Sequence, residues 1–132
     1  MPAPKPELPP DLAALLESYS EMFGLRPTLP EARFAFSGDV NPEFLRLSEK
    51  LRAHAFYNDV FDMKTTQLML FGMLVVEGHQ AAQMHALAAR RAGATWEELH
   101  KVVELAAATG CLKPANMGFA MLNGLRDKET ED

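Results

Sequence analysis

Apolar residues recur every three to four positions along most of this chain, and no stretch sustains the two-residue alternation of a strand. Leu12, Leu15, Leu16 and Tyr19 predict a first helix over residues 11–23, closed by Gly24. Pro27, Pro30 and Gly38 break the period between residues 25 and 40. That stretch therefore reads as an irregular loop, anchored through Phe34 and Phe36. Asn41 before Pro42 has the form of an N-cap followed by a first-turn proline. The helix it opens is expected to reach about Tyr57 and to bury Phe44, Leu47, Leu51 and Ala55. After the short turn YNDVFD, residues 63–76 become apolar nearly all round, as suits a central helix with Met69, Phe71 and Met73 as a pliable lining.

The next segment, EGHQAAQMHALAARRAG at 77–93, places Gly78, Ala81, Ala82, His85, Ala88, Ala89 and Ala92 on one helical face. Small residues admit a neighbouring helix or a ligand closely. His85 is thus either a core imidazole held by one hydrogen bond or a chemical group at a pocket. Gly93 ends that helix as a C′ glycine after Arg90 and Arg91. TWEE at 95–98 is a capping box that opens a helix to Thr109, with Gly110 as its stop. Pro114 fits the first turn of a last helix to about Arg126, and DKETED reads as a mobile tail. The pattern predicts an all-α fold of five to six helices. It has a Pro-rich extended arm at 1–10, one helical domain over 11–126 and an acidic tail at 127–132.

A chain of 132 residues can bury a core without metals or disulfides. The net charge of −5, with Lys and Arg scattered, leaves no basic stripe, so nucleic acid and anionic membranes are disfavoured as partners. The absence of an apolar leader and of a membrane-length apolar run leads to the expectation of a soluble, cytoplasmic protein. Cys111, the single cysteine, excludes an intrachain disulfide or CxxC pair and is read as a small buried hydrophobe. The alanine-rich faces at 81–92 and 106–108 suggest helix contacts between subunits, hence a homo-oligomer.

The ordered set DMKTTQL at 62–68, His85, GATWEEL at 93–99 and GCLKPA at 110–115 resembles the carboxymuconolactone decarboxylase family, which includes the alkylhydroperoxidase D branch. AFYNDVF at 55–61 is similar to the segment that precedes the first of these motifs, so the resemblance covers about residues 42–126. It implies an alkylhydroperoxidase D-like helical bundle, assembled as a homotrimer or homohexamer with active sites near subunit contacts. The peroxidase branch carries C-x-x-C-x-x-x-H, and the matching positions here are Gly78 and Ala81. With neither an attacking nor a resolving thiol, that branch's chemistry is excluded. In the decarboxylase branch an Arg-Glu-Leu triplet stands where this chain has Thr66, Gln67 and Leu68. That change removes a cation and a carboxylate and points away from 4-carboxymuconolactone itself.

Loss of carbon dioxide from an unsaturated lactone acid needs a stabilised dienolate oxygen and a proton donor to carbon. The residues assigned to catalysis are His85 as proton donor or acceptor, Gln67 as its hydrogen-bonding partner and Glu77 as the nearest carboxylate. Free N–H groups at Gly78, His79 and Gln80 would receive a substrate carboxylate, and Met69 and Met73 would line the pocket. His79 and His85 fall about 120° apart on a helical wheel, so no metal site is expected, and no cofactor is called for. His54 and His100 read as solvated, and Trp96 as a packing anchor. Two functions stay open: a lyase or isomerase acting on a small carboxylated or lactone substrate, and a binding or structural homo-oligomer without catalysis. A pocket shared by Met69, Met73, Gln67 and His85 would favour the first. An imidazole sealed by alanines on a backbone carbonyl would favour the second.

Overall fold

A computed structural model describes residues 6–131; residues 1–5 of the expected arm and Asp132 of the expected tail lie outside the described residues. Seven α-helices and no strand occur among those described, in keeping with the all-α expectation but with one helix more. The chain divides into two compact units, one ending at Asn58 and the other beginning at Asp59.

The first unit contains α1 (Pro10–Phe23), α2 (Thr28–Val40) and α3 (Pro42–Phe56). The additional helix is α2, in the stretch expected to be a loop. Its prolines do not interrupt it, because Pro27 precedes the helix and Pro30 lies in its first turn, where a missing N–H costs no intrahelical bond. Of the two proposed anchors, only Phe34 is buried; Phe36 is 73 % exposed, since two residues span about 200° on a helix. Asn41 ends α2 and also caps α3, accepting a hydrogen bond from the Phe44 N–H.

In α3 the buried face is the reverse of the expected one. Leu45 and Glu49 are buried, whereas Phe44, Leu47 and Leu51 are 58–70 % exposed and Ala55 is exposed as well. A polar network sets this rotation. Glu49 Oε1 accepts from Tyr19 Oη at 2.6 Å and Arg33 Nη2 at 2.8 Å, and Glu49 Oε2 accepts from Arg52 Nε at 2.9 Å. The Arg52 guanidinium lies 3.8 Å from the Tyr19 ring centroid and donates through Nη2 to Ser18 Oγ. A buried carboxylate with two guanidinium partners and a phenol is satisfied only in this orientation, and that outweighs the apolar stripe.

The second unit contains α4 (Met63–Glu77), α5 (Ala82–Arg91), α6 (Trp96–Gly110) and α7 (Leu112–Glu131). Asp62 caps α4 by accepting from the Thr65 N–H, and Gly78 closes it at φ +80°, a conformation that suits glycine. Past α5, the Gly93 N–H bonds Arg90 O and the Ala94 N–H bonds Ala89 O, the double bond pattern of a Schellman stop. Both halves of the Thr95–Glu98 capping box form. Gly110 lies inside α6, not beyond it, where a side chain would meet the Pro114 ring at 2.9 Å. Cys111 takes the positive φ of 61° and is exposed, which corrects its reading as a buried hydrophobe.

The core of this unit is built on Phe71, Val75, Leu99, Val103 and Leu122, with Ala82, Ala86, Ala89 and Ala106 closing the gaps between helices. The alanine faces expected at subunit contacts are therefore largely spent on packing within the chain. Gly118 lets α7 approach α6, since a Cβ there would lie 2.9 Å from both Val103 methyls. Helix α7 runs on through Glu131, past the expected end near Arg126, and Glu129 takes two hydrogen bonds of 2.8 Å from Arg90.

Candidate active site

Gln67 lies just past the first turn of α4 and His85 in the first turn of α5, and the packing of these two helices brings the side chains together. His85 Nδ1 is 2.7 Å from Gln67 Oε1, with His85 at 6 % and Gln67 at 0 % exposure. Gln67 Nε2 donates to Met63 Sδ at 3.4 Å, which orients the amide with its oxygen toward the imidazole. An amide oxygen only accepts. Opposite that oxygen, a neutral His85 ring carries its proton on Nδ1. Buried Ala82, Ala86, Ala88 and Ala89 share α5 with it.

The other residues singled out from the sequence are placed elsewhere. Glu77 is exposed on the last turn of α4, outside the hydrogen-bonded pair. The backbone N–H groups of Gly78 and His79 are not free: they donate to Val75 O and Leu74 O and complete the end of α4. Helix α5 begins only at Ala82, so the expected anion-binding terminus at 78–80 is corrected, with His79 and Gln80 exposed in the connection. His79 Nδ1 instead accepts from the Ala81 N–H at 3.0 Å. Lys113, not singled out in the sequence, lies with its ammonium against Gly78, where a Cβ would be 3.1 Å from Nζ. A cation there complements the carbonyl end of α4.

Met69 and Met73 do not share a space with His85. They line an apolar groove of about 520 Å³ between α4 and α6, together with Leu68, Gly72, Val76, Val102 and Leu105; Gln67 and His85 are not part of its lining. Gln67 and Met69 are two residues apart and so about 200° apart around α4. The helix itself separates the methionines from the imidazole.

Trp96 is half-buried against the core, with the Arg90 guanidinium 4.1 Å from its ring centroid, as a packing anchor would be. His54 is exposed; His100 is exposed too, bonded to Glu104 at 3.1 Å and tilted against Phe119 at 4.5 Å. Among the described residues no three His, Cys, Asp or Glu side chains are grouped to hold a metal ion. No helix there is long and apolar enough to cross a membrane.

The sequence profile of the Carboxymuconolactone decarboxylase family matches residues 42–124, from the start of α3 to within α7. The chain belongs to the carboxymuconolactone decarboxylase family. No individual curated protein and no solved structure gives a match. The family match contains the whole Gln67–His85 pair, while α1 and α2 lie outside it. In this family member the network of Tyr19, Arg33, Glu49 and Arg52 had no sequence signature, because its members are 30 or more residues apart from one end to the other.

Proposed function

We propose that this carboxymuconolactone decarboxylase family protein is a lyase or isomerase that uses His85 to move a proton at carbon on a small carboxylated or lactone substrate. The observation that supports this reading is the buried 2.7 Å hydrogen bond between His85 Nδ1 and Gln67 Oε1. It orients the ring and selects the tautomer in which Nε2 is basic, the two things a general base needs before its pKa matters. Gln67 is a positioning residue that holds the imidazole without adding negative charge. With the imidazole neutral, Nε2 takes a proton from one carbon and returns it to another.

The test is turnover on a panel of lactone acids, with His85→Gln expected to lower the rate by about 10²–10⁴-fold while the circular dichroism is unchanged. Equal activity in the variant would remove the proton-transfer role. Gln67→Glu sets a carboxylate against Nδ1 and favours the imidazolium, so the low-pH limb of the rate profile is expected to move to higher pH. A limb that stays in place would show that Gln67 does not act through His85.

A second reading, a family scaffold without catalysis, draws on the 6 % exposure of His85 among alanines. Wild-type protein that turns over no member of the panel, and is not stabilised by any, would favour it.

A further inference from the structure

The two ends of the Gln67 amide occupy nearly the same space and have opposite hydrogen-bonding character: Oε1 only accepts and Nε2 only donates. Either end can bond His85 Nδ1, but each requires a different ring. Oε1 accepts from a protonated Nδ1, as here. An amide turned over would donate through Nε2 to a bare Nδ1, and the proton of the neutral ring would then sit on Nε2. Amide orientation and imidazole tautomer are therefore one variable. Gln67 is buried at 0 % exposure, so both ends of the amide find their partners within the protein.

The end remote from His85 discriminates between the two orientations. Met63 opens α4 one turn before Gln67 and on the same face, and its Sδ lies 3.4 Å from Gln67 Nε2. A thioether accepts weakly and has no proton to give. It can meet Nε2–H, whereas facing Oε1 it would set two acceptors together with no hydrogen between them. A hydroxyl or an amide at this position could serve either orientation. A carboxylate would be an acceptor only, but would bring a negative charge toward the imidazole. The ionised side chains on either side of Met63 are engaged elsewhere: Asp62 Oδ1 accepts from the Thr65 N–H, and Lys64 Nζ donates to Glu98 Oε1 at 2.9 Å. Met63 thus gives the Gln67–His85 pair a direction without giving it a charge.

We propose that Met63 is a positioning residue of this site, whose thioether acts through the Gln67 amide to hold the proton of the neutral His85 ring on Nδ1. The functional consequence rests on the reading of His85 as the proton-transfer group. An amide that turned over would place a proton on Nε2, the nitrogen that has to take one from carbon. A preference worth one neutral hydrogen bond corresponds to a ratio of about fivefold in favour of Nδ1–H.

The test is long-range ¹H–¹⁵N NMR on the full chain labelled with ¹⁵N-histidine, without substrate and at a pH where the ring is neutral, with His85→Gln used to assign the His85 signals. Wild type is expected to carry the proton on Nδ1 in about fivefold excess or more. Met63→Leu removes the acceptor at similar volume and is expected to lower that ratio at least about threefold. Met63→Gln, which can accept or donate, is expected to do the same, and it decides the matter if circular dichroism shows Met63→Leu to be unfolded. Met63→Glu, an acceptor only, is expected to keep the wild-type tautomer. A wild-type proton found mainly on Nε2 overturns the proposal. So do folded Leu and Gln variants with the wild-type ratio, and so does a Glu variant that behaves like them. The spectra need no turnover, so an inactive wild type counts against the proton-transfer reading alone, and an unmoved tautomer ratio counts against Met63 alone.

Discussion

Tyr19 shows how much a single position depends on neighbours distant in sequence. Its spacing with Leu12 and Leu16 marks it as part of an apolar face, and it is buried as that spacing requires. Its hydroxyl, however, donates to a carboxylate thirty residues away. Burial pushes the phenol up to about 12, and the hydrogen bond to Glu49 adds to the shift. The folded chain therefore keeps a proton that the unfolded chain releases above about pH 10. That contribution to stability is complete below pH 10 and is lost as the pH rises toward 12. Urea titrations at pH 8, 10 and 11 are expected to show a steeper alkaline loss for wild type than for Tyr19→Phe. Parallel profiles would assign the loss to other groups. His85 and Gln67 illustrate the opposite case: both were singled out from local motifs, and their bond across α4 and α5 needed only that these consecutive helices pack.

At the scale of the element, boundaries follow from chemistry within one turn and were legible. Asn41 and the Thr95–Glu98 box cap where their side chains reach the first free N–H groups, and Gly78 and Gly93 end helices at positive φ. Helix α2 was missed because Pro27 and Pro30 look like breakers, and only their positions before and within the first turn make them harmless. The contact of α6 with α7 rests on one missing side chain. Gly118→Ala is expected to cost about 1–3 kcal/mol, because its methyl would meet Val103 at 2.9 Å. Chemical denaturation measures the loss, and Val103→Ala in the same chain is expected to return part of it. A fully additive pair would mean that α7 shifts and does not press on Val103.

At the scale of the whole molecule, the exposed apolar surfaces among the described residues include the α2–α3 face and the α4–α6 groove. Of the alanine stripes that suggested self-association from the sequence, Ala106 lines the groove, while Ala82, Ala86 and Ala89 fill the core of the second unit. The sequence by itself determined the helical class, the family and most helix ends, since caps, stops and periodicity act over a few residues and need no partner. It also placed His85 and Gln67 in one small set of candidates. Only the tertiary structure decided which side of α3 faces inward, that Met69 and Met73 lie across α4 from Gln67, and that the N–H groups of Gly78 and His79 are already bound. Those outcomes turn on which distant groups can satisfy a buried charge or share a seam. A helical wheel contains the candidate faces but not the partner that selects among them.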